Sequence, residues 1–294
     1  MTFFSKSGRT AEKQSNKSNL SEFSIGRKLR LLSPLLLSLI LPFQSANAAP
    51  TFTNLSGDDF DKISRELSGN FMHHSVQGAA PLGAIFGFEV GLVAGQEPTP
   101  NISSIVKAQS GSDFPNLYHA GILGVVSVPF GLTGEAMILP KQSSSNGDFQ
   151  STSLALKLSL NKDLLKFLPF NLALRGFSSN SNFSFTQVMS GANATVQNTN
   201  TVTGVQLLLS PSLPIVEPYV GVGYLTSKNT LNVTGVSTSI FAPGYTTAQS
   251  ADNSLTTTQL FAGVTAKLLF FSLGAEYSNA FGANTYTGKL AFGF

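Results

Sequence analysis

Over most of its length the chain alternates between apolar and polar side chains. In the last ten residues, TYTGKLAFGF, Tyr286, Leu290, Phe292 and Phe294 share one parity, while Thr287, Lys289 and Gly293 share the other. Successive side chains of a strand point to opposite faces, so a period of two predicts a strand with one greasy and one wet face. The same period picks out ten strands, at about 82–95, 118–128, 131–139, 150–160, 170–179, 201–210, 215–227, 255–269, 271–280 and 285–294. The joins near Pro129, at 161–169, at 211–214 and at Phe270 are short; those at 96–117, 140–149, 180–200, 228–254 and 281–284 are mostly long and rich in Ser, Thr, Asn and Gly. An even strand number with short turns at one end and longer loops at the other is the layout of a transmembrane antiparallel β-barrel. The fold class is therefore all-β. Ten strands fit best, and because the stretch at 118–128 is apolar on both parities, counts of eight and twelve stay open.

The charges can be placed once the apolar parity of each strand is taken as its lipid face. Leu82, Ala84, Phe86, Phe88, Val90 and Leu92 then point out and Glu89 points in; Leu154, Leu156 and Leu158 point out and Lys157 in; Leu172 and Leu174 out and Arg175 in; Val216, Val220 and Val222 out and Glu217 in. The same split turns Glu135, Lys267, Glu276 and Lys289 inward, giving four acids and four bases on the bore side. A Lys or Arg on the lipid side near the bilayer midplane costs about 2–4 kcal/mol, which selects against the opposite arrangement. A soluble sandwich would carry its charges on the outward face. The eight groups read as a mutually neutralising layer of structural ion pairs, with an ion filter as the alternative.

Gly83, Gly87, Gly91 and Gly95 share the bore parity with Gly221, Gly223, Gly263 and Gly274, and their missing side chains leave room inside. Either water fills that room or the segment 49–80 folds back into it as a plug. Within that segment Ser56 and Asp59 have the spacing of a capping box, Phe60, Ile63 and Leu67 follow at helical spacing, and Gly69 and Asn70 end the pattern. One short helix is expected ahead of the first strand. Ten strands would place both chain ends in the periplasm.

Residues 1–48 read as an export signal. Arg27, Lys28 and Arg30 precede the apolar run LLSPLLLSLILPF at 31–43, and the small-residue site ANA at 46–48 predicts cleavage near Ala48. The apolar run is too short for a spanning helix, which needs about 20 residues. Of the 18 Lys and Arg, seven lie before Ala49, as do two of the 15 Asp and Glu, so the processed chain would hold 11 bases against 13 acids. The basic balance then belongs to the signal, and nucleic-acid binding loses its support.

The sequence offers little for catalysis. It has no Cys, hence no disulfide, thiolate metal site or Cys nucleophile. His119 sits inward at the loop end of the second strand, near Asp113, and is the one candidate for rim chemistry of a hydrolase. His73 and His74 adjoin the helix end without further ligands at workable spacing. No enzyme, cofactor or metal site is predicted.

The ending built from Tyr286, Leu290, Phe292 and Phe294 resembles the C-terminal signature of bacterial outer-membrane β-barrel proteins. That resemblance implies recognition by the barrel-insertion machinery and an outer-membrane lipid environment. The stretches LGAIFGFEVGLVAG, SVPFGLTGEAMILP, KDLLKFLPFNLALRGF and EPYVGVGYLTS, after a short N-terminal helix, look similar to Gram-negative outer-membrane barrel families of about ten strands with no assigned activity. A barrel of that size is largely filled by side chains. The expected role is a narrow channel or transport protein for small solutes, with a structural or adhesion barrel acting through its external loops as the rival.

Overall fold

The computed structural model describes residues 52–83, 85–110, 113–144, 147–160, 169–189, 192–235, 239–243, 245–246 and 249–294. The export-signal reading of 1–48 lies outside them. Helix α1 (Gly57–Asn70) is followed by β1 (Gly87–Pro98), helix α2 (Pro100–Ser110), β2 (Asn116–Val128), β3 (Leu132–Ser144), β4 (Gly147–Leu160), β5 (Phe170–Met189), β6 (Ala192–Pro211), β7 (Val216–Thr234), β8 (Ser250–Leu268), β9 (Phe271–Ala280) and β10 (Ala283–Gly293). Each strand pairs with its sequence neighbours, and β1 pairs with β10, closing a ten-stranded antiparallel barrel. The closing seam is antiparallel, with Val90 opposite Phe292 and Val93 opposite Lys289. Closure leaves no sheet edge, as hydrocarbon requires.

The outward face changes character along the long strands. On β6 it runs Thr195, Gln197, Thr199, Thr201 and Thr203, then Val205, Leu207 and Leu209. On β7 it runs Val216, Val220, Val222 and Tyr224, then Thr226, Lys228, Thr230 and Asn232. The apolar part is the membrane band; the polar part stands in water at the loop end. There the alternation inverts, and Val196, Val202, Leu225, Leu231 and Val233 turn inward. Strands of 19 to 20 residues, at about 3.3 Å per residue and a tilt near 40°, rise roughly 50 Å, twice the ~25 Å of an apolar band.

This inversion corrects two expectations. The segment 180–200, expected as a loop, is largely strand, and 228–254 is strand at both ends around the connection 235–249: β5 to β8 continue past the bilayer, to Met189/Ala192 and Thr234/Ser250. At 96–117, part of the expected loop is helix α2, whose Ile102, Ile105 and Val106 are buried. They join Phe60, Ile63 and Leu67 of α1, Phe185, Val196 and Leu231 of the raised wall, and Phe241 of the β7–β8 connection, in one hydrophobic core above the membrane. The capping box of α1 forms as its spacing predicts: Asp59 N–H donates to Ser56 Oγ (3.1 Å) and Ser56 N–H to Asp59 Oδ2 (3.2 Å). The helix ends at Gly69 and Asn70 as expected, and Gly69 also permits a close approach, since a Cβ there would lie 2.9 Å from that of Ala283.

The first strand begins at Gly87, later than expected, and Leu82 packs beside the inner cluster of Val76, Val93, Leu123 and Val125 instead of facing lipid. Ala84 lies outside the described residues. Tyr277 and Tyr286 pair at 5.4 Å toward the loop end, and Phe270, Phe271 and Phe292 cluster at the turn end, two aromatic levels bounding the band.

A Lys at two outward positions of β6 checks where the hydrocarbon stops. Leu207→Lys is expected to destabilise the barrel in lipid vesicles by about 2–4 kcal/mol, and Thr199→Lys by less than about 0.5 kcal/mol. Urea unfolding of both variants reads the difference.

Candidate functional site

The chain ahead of β1 runs through the barrel from the loop end to the turn end. At the top, Phe52 exchanges two hydrogen bonds with the Gln187 side chain, both 2.8 Å, and Leu55 bridges Phe241. Below α1 the segment 71–82 descends along the bore. Ser179 Oγ donates to Phe71 O (2.6 Å), Arg175 Nη1 to Ser75 Oγ (2.5 Å), and Gln77 Nε2 to Glu89 Oε1 (3.1 Å). At the turn end Ala79 N–H donates to Ser210 Oγ (3.2 Å) and Leu82 N–H to Ser127 Oγ (3.2 Å). The expectation that both ends of the mature chain stand at the turn end is thereby corrected: β1 starts there, but residue 52 is at the opposite mouth. Strand parity fixes where β1 begins and is silent about what precedes it.

Five of the eight inward charges hold this segment. Glu135 Oε2 lies 2.9 Å from His73 Nε2 and 3.5 Å from Arg175 Nη1, and its Oε1 lies 4.0 Å from Lys157 Nζ. Lys157 donates to the carbonyls of Gly78 (2.8 Å) and Ala80 (3.3 Å). Glu217 accepts from Ala80 N–H (2.9 Å) and Ser210 Oγ (2.7 Å). Arg175 also donates to Gln206 (2.6 Å), and Glu89 takes the Gln77 amide described above. Lys157 and Arg175 are direct cross-strand partners, a like-charge pair that needs the Glu135 carboxylate between them.

The other three are held differently. Lys289 Nζ meets Glu89 Oε1 at 2.8 Å across the closing seam. Glu276 accepts from Tyr219 Oη (2.7 Å). Lys267, half-buried, has no ion-pair partner among the described residues. The layer is thus partly an internal ion-pair set and largely a socket for backbone and small polar groups.

The bore glycines are filled from their neighbours: His119 lies over Gly95, Tyr219 over Gly263, and Val76 comes within 2.8 Å of where a Cβ on Gly274 would stand. Higher up, Ser68 of α1 hydrogen-bonds Ser227 (2.6 Å) and receives Asn200 Nδ2 (3.0 Å), anchoring the helix to the wall. His119 is buried, stacked on His74 at 4.3 Å and bonded to Thr287 at 3.0 Å. Asp113, its expected neighbour, is instead engaged by Ser103. Glu66 joins the two helices by accepting from Asn101 N–H (2.8 Å) and Ile102 N–H (2.9 Å) at the start of α2. Burial pushes its carboxyl above the ordinary range, against the pull of those donors. Tyr286, Leu290, Phe292 and Phe294 are all on the outer surface, and Phe294 exchanges backbone hydrogen bonds with Phe88.

Sequence reasoning missed the partners on the descending segment. Ser75, Gln77 and the carbonyls of Gly78 and Ala80 carry no periodic signal. The lumen-facing Gln206 and Asn200 share parity with the charges and could have been found on that ground.

The chain belongs to a family of unknown function (DUF6588), whose profile matches residues 44–294. No curated protein matches the sequence. Among solved structures, the translocator domain of the autotransporter NalP from Neisseria meningitidis is similar at 12% identity and a TM-score of 0.39, over 72% of this chain and 88% of that one. Ail, the attachment invasion locus protein of Yersinia pestis, is similar at 12% identity and 0.34, over 71% and 97%. The toluene transporter TbuX of Ralstonia pickettii is similar at 9% identity and 0.28, over 73% and 91%.

If Glu135 neutralises the two wall cations, Glu135→Gln should destabilise the barrel by about 3 kcal/mol or more, because Arg175 and Lys157 are left buried beside each other. Adding Lys157→Met should restore part of that loss. Denaturant unfolding of the single and double variants measures the coupling.

Proposed function

We propose that this DUF6588 member is an outer-membrane barrel of Gram-negative bacteria that passes small solutes through a narrow bore gated by its own N-terminal segment. Export with cleavage near Ala48, and assembly by the barrel-insertion machinery reading Tyr286, Leu290, Phe292 and Phe294, belong to the same proposal. The observation that carries it is the way the segment 71–82 is held. Its polar groups are held by hydrogen bonds and ion-dipole contacts to Lys157, Arg175, Glu89, Glu135 and Glu217, between small apolar clusters in which Met72, Val76 and Ala79 touch the wall. Water can replace the polar contacts one by one as the segment moves. The reading assigns no catalysis to His119.

A second reading has its own support. The wall of β5 to β8 raised above the band exposes a broad surface of Thr, Asn and Ser, with pairs such as Thr199–Asn182 (2.9 Å) and Thr201–Asn180 (2.9 Å) on its outer side. In that case the barrel is a pedestal for binding outside the cell, and the segment is permanent filling.

Ser68 and Ser227 give the decisive pair, since their Oγ atoms are 2.6 Å apart and the chain has no native Cys. With Ser68→Cys and Ser227→Cys in a planar bilayer, step currents should appear under reducing conditions and vanish on oxidation. Arg175→Gln, which loosens the segment, should lengthen the openings. Absence of current from every form, reduced or loosened, would reject the channel and leave the pedestal.

A further inference from the structure

The outward apolar faces of the strands are shorter than the hydrocarbon they cross. On β7 the face runs from Val216 to Tyr224 and gives way to Thr226; on β8 it runs from Leu268 to Leu260 and gives way to Thr258; on β10 it runs from Phe294 to Tyr286 and gives way to Asn284. Each stretch is eight residue steps by its numbering. At about 3.3 Å per residue and a tilt near 40°, that rises roughly 20 Å, against the ~25 Å of an apolar band. The missing height cannot come from the loop end, where the outward positions are already Thr and Asn.

The turn end supplies it. Phe130 of the β2–β3 turn and Leu269 of the β8–β9 turn are each 95% exposed, and Leu213 and Ile215 of the β6–β7 turn, with Phe270 and Phe294, are exposed as well. None of residues 129–131, 211–215 and 269–270 is charged. Turns that stand in water are built mainly from Gly, Asn, Asp, Ser and Pro, and a run of exposed large apolar groups marks a surface that something covers.

The backbone at two of these tips is strained for the residue it carries. Phe130 has φ 70° and Leu269 has φ 57°, the left-handed region that Gly and Asn adopt at turns with least cost. A bulky side chain held there and left in water gains nothing to offset the strain; an apolar surrounding provides the offset. Continuity identifies that surrounding. Val128 and Leu132 pair on either side of Phe130, Leu268 and Phe271 pair on either side of Leu269, and all four face outward on the lipid side of the wall.

We propose that the turn tips at Phe130, Leu213, Ile215 and Leu269 form an apolar collar sunk into the periplasmic leaflet, covered by phospholipid at the boundary between acyl chains and headgroups. The lower mouth, where Ala80 and Leu82 leave the bore, then opens among headgroups instead of into free periplasmic water. The collar is independent of conduction, since it follows from height and exposure and holds for channel and pedestal alike.

Phe130→Trp and Leu269→Trp, made one at a time in the full chain, report the surroundings of each tip in vesicles that contain no other protein. Bromine on acyl carbons close to the headgroup should quench both indoles strongly. Iodide on both sides of the membrane should quench them far less than the indole of Thr195→Trp, at an exposed outward position high on the raised wall. If Phe130→Trp does not fold, Leu269→Trp reads a separate turn. Phe130→Asn gives a second readout with a sign: in the leaflet it should lower the folded-to-unfolded ratio several-fold, because loss of the ring outweighs the strain that Asn relieves, whereas in water it would leave the ratio equal or raise it. Iodide quenching at 130 and 269 equal to that at 195 places the tips in water and overturns the proposal. Shielding from iodide without bromine quenching, the mark of a second copy covering the rim, overturns it too, as does an unchanged or raised stability of Phe130→Asn.

Discussion

Hydrocarbon offers no partner to a backbone N–H or C=O, and every feature of this barrel follows from meeting that condition while still admitting charge. The ring of strands from β1 to β10 satisfies the backbone without an edge. Once it is closed, the two faces see opposite solvents. Leu156, Leu207 and Val220 meet lipid, and the eight charges turn inward. Above the band water lies outside and a protein core inside, so Thr and Asn turn out while Val196, Leu231 and Val233 turn in. One strand can thus serve two environments by exchanging faces near Gly204 and Tyr224.

Charges brought inside need partners, and the segment ahead of β1 supplies many of them. Lys157 and Arg175 stand side by side and would repel each other were Glu135 and the carbonyls of Gly78 and Ala80 absent. Removing the segment would return these groups to water or leave them unpaired, so wall and segment are matched to each other. The polar part of this matching suits a gate, because each hydrogen bond is local and exchangeable with water.

Much of this was legible in the sequence. All ten strands were placed by alternation, the inward parity of Glu89, Lys157 and Lys289 followed from their greasy neighbours, and the Ser56/Asp59 spacing located α1. What escaped has physical causes. Residues 180–200, and the two ends of 228–254, read as loops because their outward parity is Thr, Asn and Ser and the apolar face of the alternation is inside, the reverse of the membrane band. Helix α2 was visible in the spacing of Ile102, Ile105 and Val106, but it sat in a segment already read as a long loop. The path of residues 52–82 escaped because it is fixed by backbone carbonyls and by residues as small as Ser75, and no pattern of side chains records which mouth of a bore a chain enters.

The chain contains no Trp, which allows the lipid-facing assignment to be read one position at a time. Single-Trp variants at Leu156, on the outer face of β4, and at Phe177, inside the bore on β5, in vesicles of acyl-brominated lipid give the most direct measurement. The account predicts strong bromine quenching of the Trp at position 156 and almost none at 177. Equal quenching at the two positions, or quenching at 177 alone, would contradict it.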